Sequence, residues 1–226
     1  MATLADDLSH AGAVMIARGD RVVAAHFGSV TGELSVCLKH AGIAVRSDLD
    51  VLELSARADR LELALTRLLP DASPSPGGAV RVGRAWCAHA EPGRALVVGP
   101  PGAVASVRRL AAGAALALQC RAPDTTPIEL VGPRVRGVLE RAGLPDDLAP
   151  QAVRRCWWRD GTVVLLCEDR DRFLLLVPAS EAGAAWHDLL AAGRPLELAC
   201  VGLDALAWLA ARQMSPREAS SSSPIS

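Results

Sequence analysis

The feature that most constrains how this 226-residue chain can fold is an order of segments that occurs twice. In the first copy, the segment Leu-Glu-Leu-Ser at 52–55 leads into a helically periodic run at 58–69. In the second copy, a similar segment at 128–131 leads into a run at 135–142. Because a helical spacing of apolar residues follows a short strand-like segment both times, each copy predicts a strand joined to a helix.

Both copies then continue in the same way. A tryptophan-containing stretch is followed by an apolar run that opens on Arg and closes on Pro, at 94–100 and at 172–178. A second helix-like run ends each copy. We therefore predict an α+β protein built from duplicated ferredoxin-like units. The repeat units cover about 51–113 and 127–193, within one folded region at 9–212.

The composition is that of a folded protein without a strong electrostatic field. Half of the residues are apolar, 22% are charged, and the formal net charge is −1. A chain of this length can bury a sizeable core, but it lacks the excess charge that attracts nucleic acid or anionic lipid. Neither a nucleic acid nor a membrane is therefore an expected partner.

The chain carries no recognisable targeting signal. Its N-terminus is acidic and lacks the apolar core of a signal peptide, and the apolar run at 111–118 is too short to span a bilayer. We therefore expect a cytoplasmic protein. The serine-rich segment at 213–226 is expected to be disordered.

The sequence does not predict metal or disulfide chemistry. Its six cysteines are spread along the chain without a close pair, and most lie in apolar runs. Buried free thiols are therefore favoured over zinc ligands or a disulfide framework. The five histidines show no metal-ligand spacing, and no Ser-His-Asp set can be placed.

One helix is predicted near the N-terminus from its capping residue. Thr31 is a candidate N-cap for a helix that ends near His40, since its side chain could accept a hydrogen bond from the first turn. Leu34, Leu38 and Ala41 would share the inner face of that helix.

Local signals place further elements in the rest of the chain. Apolar runs at 163–167, 173–177 and 196–201 predict strands. Gly143 predicts the end of the helix that starts the second repeat. The segment 70–78 is too rich in Pro and Gly for regular structure.

Several stretches resemble the aminomethyltransferase superfamily, most clearly 173–193 and 201–209. That superfamily includes the T-protein of the glycine cleavage system, and the folate domains and gamma subunit of heterotetrameric sarcosine oxidase. The opening motif at 26–29 and the Gly-Pro helix start at 132–133 resemble the same superfamily. The turn at 142–150 is similar to a turn of the gamma subunit.

The resemblance implies a pocket for tetrahydrofolate between two pseudo-symmetric lobes, and a fold without the C-terminal barrel of active T-proteins. Active members transfer a one-carbon unit from an aminomethyl group to the reduced pterin. That chemistry requires a carboxylate near the pterin nitrogens, because an anion stabilises the iminium character that develops there. A second acid would pair with the N–H donors on the edge of the pterin. Tetrahydrofolate is the cofactor that the resemblance implies.

The sequence departs from that superfamily where its acidic residues are expected. The run after 77–78 reads Ala-Val-Arg-Val at 79–82, and Leu174 stands where an acid follows the aromatic residue. The segment 164–167 is apolar, and the last helix ends Leu-Ala-Ala-Arg at 209–212 where Leu-Arg-x-Glu is common. We therefore predict that the catalytic and pterin-binding groups are lost, and we assign no catalytic residue.

Five residues remain as candidates for contact with a cofactor: His26, Glu53, Glu129, Trp158 and Asp204. His26 lies in the opening motif. Trp158 could stack on a flat ligand, although a place in the core or at an interface is favoured. In an active enzyme, Glu53, Glu129 or Asp204 would have to supply the carboxylate.

Two charge-rich segments are expected to be structural. The segment 168–172 predicts a solvated hairpin tip between two strands. Asp146 and Asp147 are expected to cap a turn or the helix that follows it, because short acidic side chains accept hydrogen bonds from nearby backbone N–H groups.

These observations favour a catalytically degenerate protein that is similar to the gamma subunit of sarcosine oxidase. It would pack on a larger oxidase, dehydrogenase or transferase subunit, with an apolar face around Trp157 and Trp158 as its contact surface. The alternative is a small tetrahydrofolate-dependent one-carbon transferase with a rewired pocket. A folate-binding chaperone or regulator that acts alone is a third alternative.

Overall fold

The computed structural model describes residues 3–70, 73–113 and 118–214 of the chain. Within these residues the chain forms seven α-helices and thirteen β-strands. The helices are α1 (Leu4–His10), α2 (Val30–Lys39), α3 (Ala58–Leu68), α4 (Pro101–Gly113), α5 (Val135–Arg141), α6 (Ala182–Gly193) and α7 (Leu203–Met214). The strands are β1 (Val14–Arg18), β2 (Arg21–His26), β3 (Ala41–Val45), β4 (Asp50–Ser55), β5 (Ala79–Val82), β6 (Ala85–Glu91), β7 (Arg94–Gly99), β8 (Gln119–Arg121), β9 (Thr125–Val131), β10 (Ala152–Trp158), β11 (Gly161–Asp169), β12 (Arg172–Pro178) and β13 (Leu198–Cys200).

The strands form one hairpin and two larger sheets. β1 pairs with β2, the five-stranded sheet has the order β5-β6-β7-β4-β8, and the six-stranded sheet has the order β10-β11-β12-β9-β3-β13. All neighbouring strands are antiparallel except β3 and β13. The order β5-β6-β7-β4 of one sheet repeats as β10-β11-β12-β9 in the other. The predicted α+β fold of duplicated ferredoxin-like units is therefore confirmed, and no sheet of the described residues closes into a barrel.

The outer face of each large sheet is covered by the two helices of its own repeat. Leu52 and Leu54 of β4 lie in the core beneath α3 and α4. Ile128 and Leu130 of β9 lie in the corresponding core beneath α5 and α6. Successive side chains of a strand point to opposite faces. Glu53, between Leu52 and Leu54, therefore points away from the helices, and so does Glu129 in the second repeat.

The inner faces of the two sheets pack on each other. An apolar layer between them consists of buried residues from β5 to β7 and from β10 to β12, namely Ala79, Trp86, Ala88, Leu96, Val98, Val153, Leu166, Leu174 and Leu176. The sheets are also joined along one edge by the backbone. The N–H of Val153 donates to the carbonyl of Gly77 at 2.9 Å, and the N–H of Ala79 donates to the carbonyl of Gln151 at 2.7 Å.

The predicted start of α2 is wrong by two residues. The helix is capped by Ser29, whose hydroxyl accepts a hydrogen bond from the N–H of Gly32 at 3.2 Å. Ser29 has the extended backbone that an N-cap requires, whereas Thr31 already lies inside the first turn. The predicted inner face is also wrong in part, because Leu38 is exposed and Cys37 is buried.

The cysteine prediction is correct in that all six thiols are free, but only three of them, Cys37, Cys87 and Cys167, are buried. Burial raises the pKa of the Cys37 and Cys87 thiols to about 12, which keeps them protonated and unreactive at neutral pH. Cys156 and Cys200 are half-buried, and Cys120 lies exposed on the short edge strand β8.

The two ends of the folded region differ from the expected limits in detail. Helix α1 begins at Leu4, before residue 9, and places Leu8 in the larger core. At the other end, α7 continues to Met214, and the rest of the expected disordered tail, residues 215–226, lies outside the described residues.

The five tryptophans provide a test of the packing. Trp186 of α6 is fully buried in the core beneath the six-stranded sheet, whereas Trp208 of α7 is 65% exposed. We expect Trp186→Ala to lower the free energy of unfolding by about 3–5 kcal/mol, because it leaves a large cavity. Trp208→Ala is the control and should change it by less than about 0.5 kcal/mol. Equal losses in urea unfolding of the two variants would contradict this packing.

Candidate functional site

Polar side chains lie at both ends of the apolar layer between the sheets. Strand β12 runs the length of this layer, with Leu174 and Leu176 inside it. Arg172 begins the strand among buried charges, and Pro178 ends it beside an open cavity. The space between the sheets therefore has one closed, charged end and one open end.

The closed end is a group of buried ion pairs that we call the buried ion cluster: Arg46, Asp48, Glu129, Glu168 and Arg172. Glu129 is completely buried at its centre. One carboxylate oxygen contacts Nη1 of Arg46, and the other lies 2.8 Å from Nε of Arg172. The first contact is a hydrogen bond, whereas the second is an ion-pair contact outside hydrogen-bond geometry, so both oxygens of Glu129 face guanidinium groups.

The outer members of the buried ion cluster complete the charge balance. Arg46 binds Asp48 through two hydrogen bonds of 2.8 Å, from Nε and from Nη2. The carboxylate of Glu168 lies 3.1 Å from Nε of Arg172. A guanidinium group suits such a site, because its planar donors match two carboxylates at once.

The two central carboxyl groups have pKa values that move in opposite directions. Burial alone would raise the pKa of Glu129, but the guanidinium groups of Arg172 and Arg46 outweigh burial and lower it. Burial and the negative charge of Glu129 raise the pKa of Glu168, and Arg172 only partly opposes them. Glu129 is therefore an anion that is committed to its own arginines, which leaves it no capacity to stabilise a developing cation.

The prediction of a solvated hairpin tip at 168–172 is wrong for its two ends. Only Arg170 and Asp171 form the turn, and the strands continue up to it on both sides. Glu168 lies on the same face of β11 as Leu166, so its side chain enters the space between the sheets. The charged residues of this segment therefore have two roles. Glu168 and Arg172 form ion pairs inside the protein, and Arg170 and Asp171 form the turn.

The open end contains a cavity of about 350 Å³ that we call the inter-sheet cavity. Its apolar wall comes from both sheets and comprises Val51, Ala90, Leu96, Val164 and Leu176. Its polar lining comprises Glu53, Glu91, Arg94, Arg121, Asp124, Thr125, Arg155 and Thr162. The volume lies within the range of small-molecule sites, which combine an apolar wall with a few polar groups.

Part of this polar lining is already paired. The carboxylate of Glu91 lies 2.6 Å from Nη1 of Arg155 and 3.4 Å from Nε of Arg94. Within the described residues, the side chains of Glu53 and Arg121 have no hydrogen-bond or ion-pair partner. The hydroxyl of Thr125 is buried and also has no hydrogen-bond partner there.

The remaining sequence candidates lie elsewhere and do not converge. Asp204 pairs with Arg18 at 2.6 Å near the start of α7. Trp158 is buried in the core, and its indole N–H donates to the carbonyl of Ala142 at 2.7 Å. The ring of His26 accepts a hydrogen bond from the N–H of Gly28. Of the five candidates, Glu53 alone lines the inter-sheet cavity.

The positions of the replaced acids are apolar or solvent-facing. Leu174 is fully buried in the layer between the sheets. Arg81 lies on the edge strand β5, exposed, with its guanidinium group 5.5 Å from the ring centre of Trp86. Neither place offers a carboxylate to a ligand.

The sequence interpretation missed the arginines and Thr125. Arg94 and Arg172 open the apolar run of each repeat, so a comparison of the two repeats could have marked them. No such signal marks Arg46, Arg121 and Thr125. Only the pairing of the strands brings them to the two ends of the layer between the sheets.

The described residues contain no group of three or more His, Cys, Asp or Glu side chains that could hold a metal ion. None of the helices in the described ranges is long and apolar enough to cross a membrane.

The fold is similar to that of an aminomethyltransferase of known structure. Aminomethyltransferase T of the glycine cleavage system from Bartonella henselae matches 89% of this chain with a TM-score of 0.73 and 20% identity. The chain spans 59% of the length of that protein. The resemblance predicted from the sequence is therefore confirmed for the fold.

A second solved structure is similar over its whole length. A chain of heterotetrameric sarcosine oxidase from Corynebacterium sp. U-96, solved in complex with pyrrole 2-carboxylate, matches 87% of this chain with a TM-score of 0.59 and 16% identity. The match covers 96% of that chain. No family model matches the sequence, and no curated protein matches it significantly.

The buried ion cluster predicts a pH-dependent loss of stability in a Glu129 variant. Glu129 has a lowered pKa in the folded state, so its ionised form stabilises the fold above the ordinary value of 4.5, and this is lost as the pH falls through the folded-state value. We expect Glu129→Gln to lower the free energy of unfolding by about 3–5 kcal/mol at pH 7, because two buried arginines lose their partner. The difference from wild type should shrink in acid. Exposed Glu62→Gln is the control, and a loss that is independent of pH would contradict the assignment.

Glu168 should behave in the opposite sense. Its pKa is raised in the folded state, so the fold disfavours its ionised form. As the pH rises above 4.5, wild-type protein should therefore lose stability relative to Glu168→Gln. Urea unfolding of both proteins between about pH 4 and 8 measures this difference. If the stability of wild type relative to Glu168→Gln instead rises with pH, as expected for Glu129→Gln, the two pKa values do not shift in opposite directions.

Proposed function

We propose that this chain is a non-catalytic subunit that packs on a larger flavin- or folate-dependent oxidase or dehydrogenase. A cytoplasmic location goes with this proposal. The observation that carries it is the state of Glu129, the inward-facing carboxylate of the second repeat. Both of its oxygens are in ion-pair contact with largely enclosed arginines, one of them through a hydrogen bond, so it cannot act on a ligand without breaking the ion cluster.

The comparisons support a role inside a complex. The similar chain of sarcosine oxidase belongs to a heterotetramer, and its length is almost fully covered by this chain. The expected acids of this chain are replaced, and a similar fold that serves as one subunit of an oxidase supports a non-catalytic role for it.

The partner face of this proposal is smaller than the sequence suggested. Trp158 is buried in the core, so it is not available for contact. Its neighbour Trp157 is 72% exposed on β10, the edge strand of the six-stranded sheet. Large exposed aromatic side chains are frequent anchors of protein interfaces, because they bury much apolar surface. We therefore place the contact at Trp157.

Co-expression with the large flavoprotein subunits of an oxidase from the same genome tests this function. We expect a stoichiometric complex in size-exclusion chromatography with light scattering, and no aminomethyl transfer to tetrahydrofolate by the isolated chain. Trp157→Ala should weaken the complex roughly 30-fold, which corresponds to about 2 kcal/mol. Trp208→Ala is the matched control, because it removes another exposed tryptophan. Equal effects of the two variants would contradict a contact at Trp157.

The second candidate function is a small tetrahydrofolate-dependent one-carbon transferase. The observation that favours it is Glu53, which lines the inter-sheet cavity and whose carboxylate has no partner in the described part of the chain. A titration of the isolated chain with tetrahydrofolate, followed by a transfer assay, distinguishes the two functions. Micromolar binding and turnover that Glu53→Gln abolishes would overturn the non-catalytic proposal and establish the alternative.

A further inference from the structure

We propose that the inter-sheet cavity binds a free α-amino acid with an apolar side chain. This inference goes beyond the subunit role and does not depend on catalysis. It rests on the pairing state of the charged groups that line the cavity and on the comparison of the two repeats.

The duplication provides a direct comparison of one position in two environments. Glu53 lies opposite Leu96 in the five-stranded sheet, and Glu129 lies opposite Leu174 in the six-stranded sheet. The two glutamates therefore occupy the same place in their repeats. Glu129 is enclosed by arginines, whereas Glu53 faces the open cavity without a partner in the described residues.

The arginines of the two repeats also differ in their partners. Arg172 lies against Glu129, but its counterpart Arg94 turns to Glu91 at a distance of 3.4 Å. Glu91 is bound in addition by Arg155. Because Arg94 and Arg155 pair with Glu91, no arginine of the described residues covers the carboxylate of Glu53. In the buried ion cluster, by contrast, Arg46 and Arg172 occupy the corresponding space around Glu129. The position of Glu53 is suited to a cationic or N–H donor group of a ligand.

Arg121 supplies the complementary charge. It lies directly opposite Glu53 in the pairing of β4 with β8, and both side chains line the cavity. Opposite residues of an antiparallel pair have their Cβ atoms about 5 Å apart, so an anionic site and a cationic site lie side by side. An ion pair between two such partly exposed groups would contribute only about 0–1 kcal/mol and opens easily for a ligand.

An α-amino acid carries its ammonium and carboxylate groups at this kind of short separation. Its ammonium group would bind Glu53, and its carboxylate would bind the guanidinium group of Arg121. The buried hydroxyl of Thr125 lacks a hydrogen-bond partner in the described residues, which is an uncommon state that a polar ligand group would relieve.

The walls of the cavity indicate the kind of side chain. Val51 and Leu96 of one sheet face Val164 and Leu176 of the other, so the body of the ligand would contact aliphatic groups. An apolar amino acid is favoured over a charged one for this reason. Asp124 is exposed and also lines the cavity, where it adds to the attraction for the ammonium end.

Methyl NMR of the full chain tests the proposal without any substitution. The probes are L-leucine, L-valine, L-methionine and L-phenylalanine, each titrated to about 10 mM, a range that detects a Kd near 1 mM. We expect at least one of them to shift the methyl signals of the four wall residues. The single-ended analogues 4-methylpentanoate and isopentylamine should bind at least about tenfold more weakly than leucine. If no amino acid shifts these signals, or if either analogue equals leucine, the proposal is wrong.

Two variants assign the ends of the ligand. Glu53→Gln should abolish the preference for leucine over 4-methylpentanoate, and Arg121→Gln should abolish the preference over isopentylamine. The matched controls are Glu62→Gln and Arg60→Gln, which change exposed residues of α3 and should leave both preferences intact. Unchanged preferences in folded Glu53→Gln and Arg121→Gln would overturn the assignment.

Should either variant fail to fold, the wild-type comparison of leucine with its analogues decides alone. Loss of this binding would leave the subunit proposal untouched, because complex formation is measured separately.

Discussion

The face-to-face packing of the two sheets imposes the constraint on which the other features depend. Helices cover the outer face of each sheet, so every second strand residue points to the opposite face, most of which packs on the other sheet. Only the part of that face near Ala44 and Val131 packs against α2 and α7 instead. The repeated strands β4 and β9 both place a glutamate there. A buried carboxylate is stable only with charged or hydrogen-bonding partners, and the layer must supply these or stay open to water. The two repeats meet this requirement in different ways.

The second repeat encloses its glutamate, and the first leaves it accessible. Around Glu129, two arginines and two further acids close one end of the layer. Around Glu53, the nearby arginine pairs with Glu91 and a cavity remains. One end therefore has the character of a structural ion cluster, and the other has the character of a binding site. The proposed non-catalytic subunit and the proposed amino-acid site rest on these two ends, respectively.

Periodicity predicted the regular elements well, because strand and helix spacing is a local property of the chain. The repeated strand–helix units, the strands β11 and β12, and the end of α5 just before Gly143 all follow from local sequence signals. Charge and tryptophan content were poorer guides. The segment 168–172 was expected to be solvated, yet its ends are buried. Trp157 and Trp158 were taken together, although alternation along β10 exposes the first and buries the second.

By itself, the sequence determined the order of the elements, the duplication, and the replacement of the expected acids by residues such as Leu174. Tertiary structure alone decided which charges meet. Arg46 lies 83 residues from Glu129, and Arg155 lies 64 residues from Glu91. The strength of an ion pair depends on distance in space and on exclusion of water, and neither is a property of neighbouring residues in the chain. For that reason, two glutamates in equivalent positions of the repeats have different surroundings: Glu129 is enclosed in the buried ion cluster, and Glu53 lines the inter-sheet cavity.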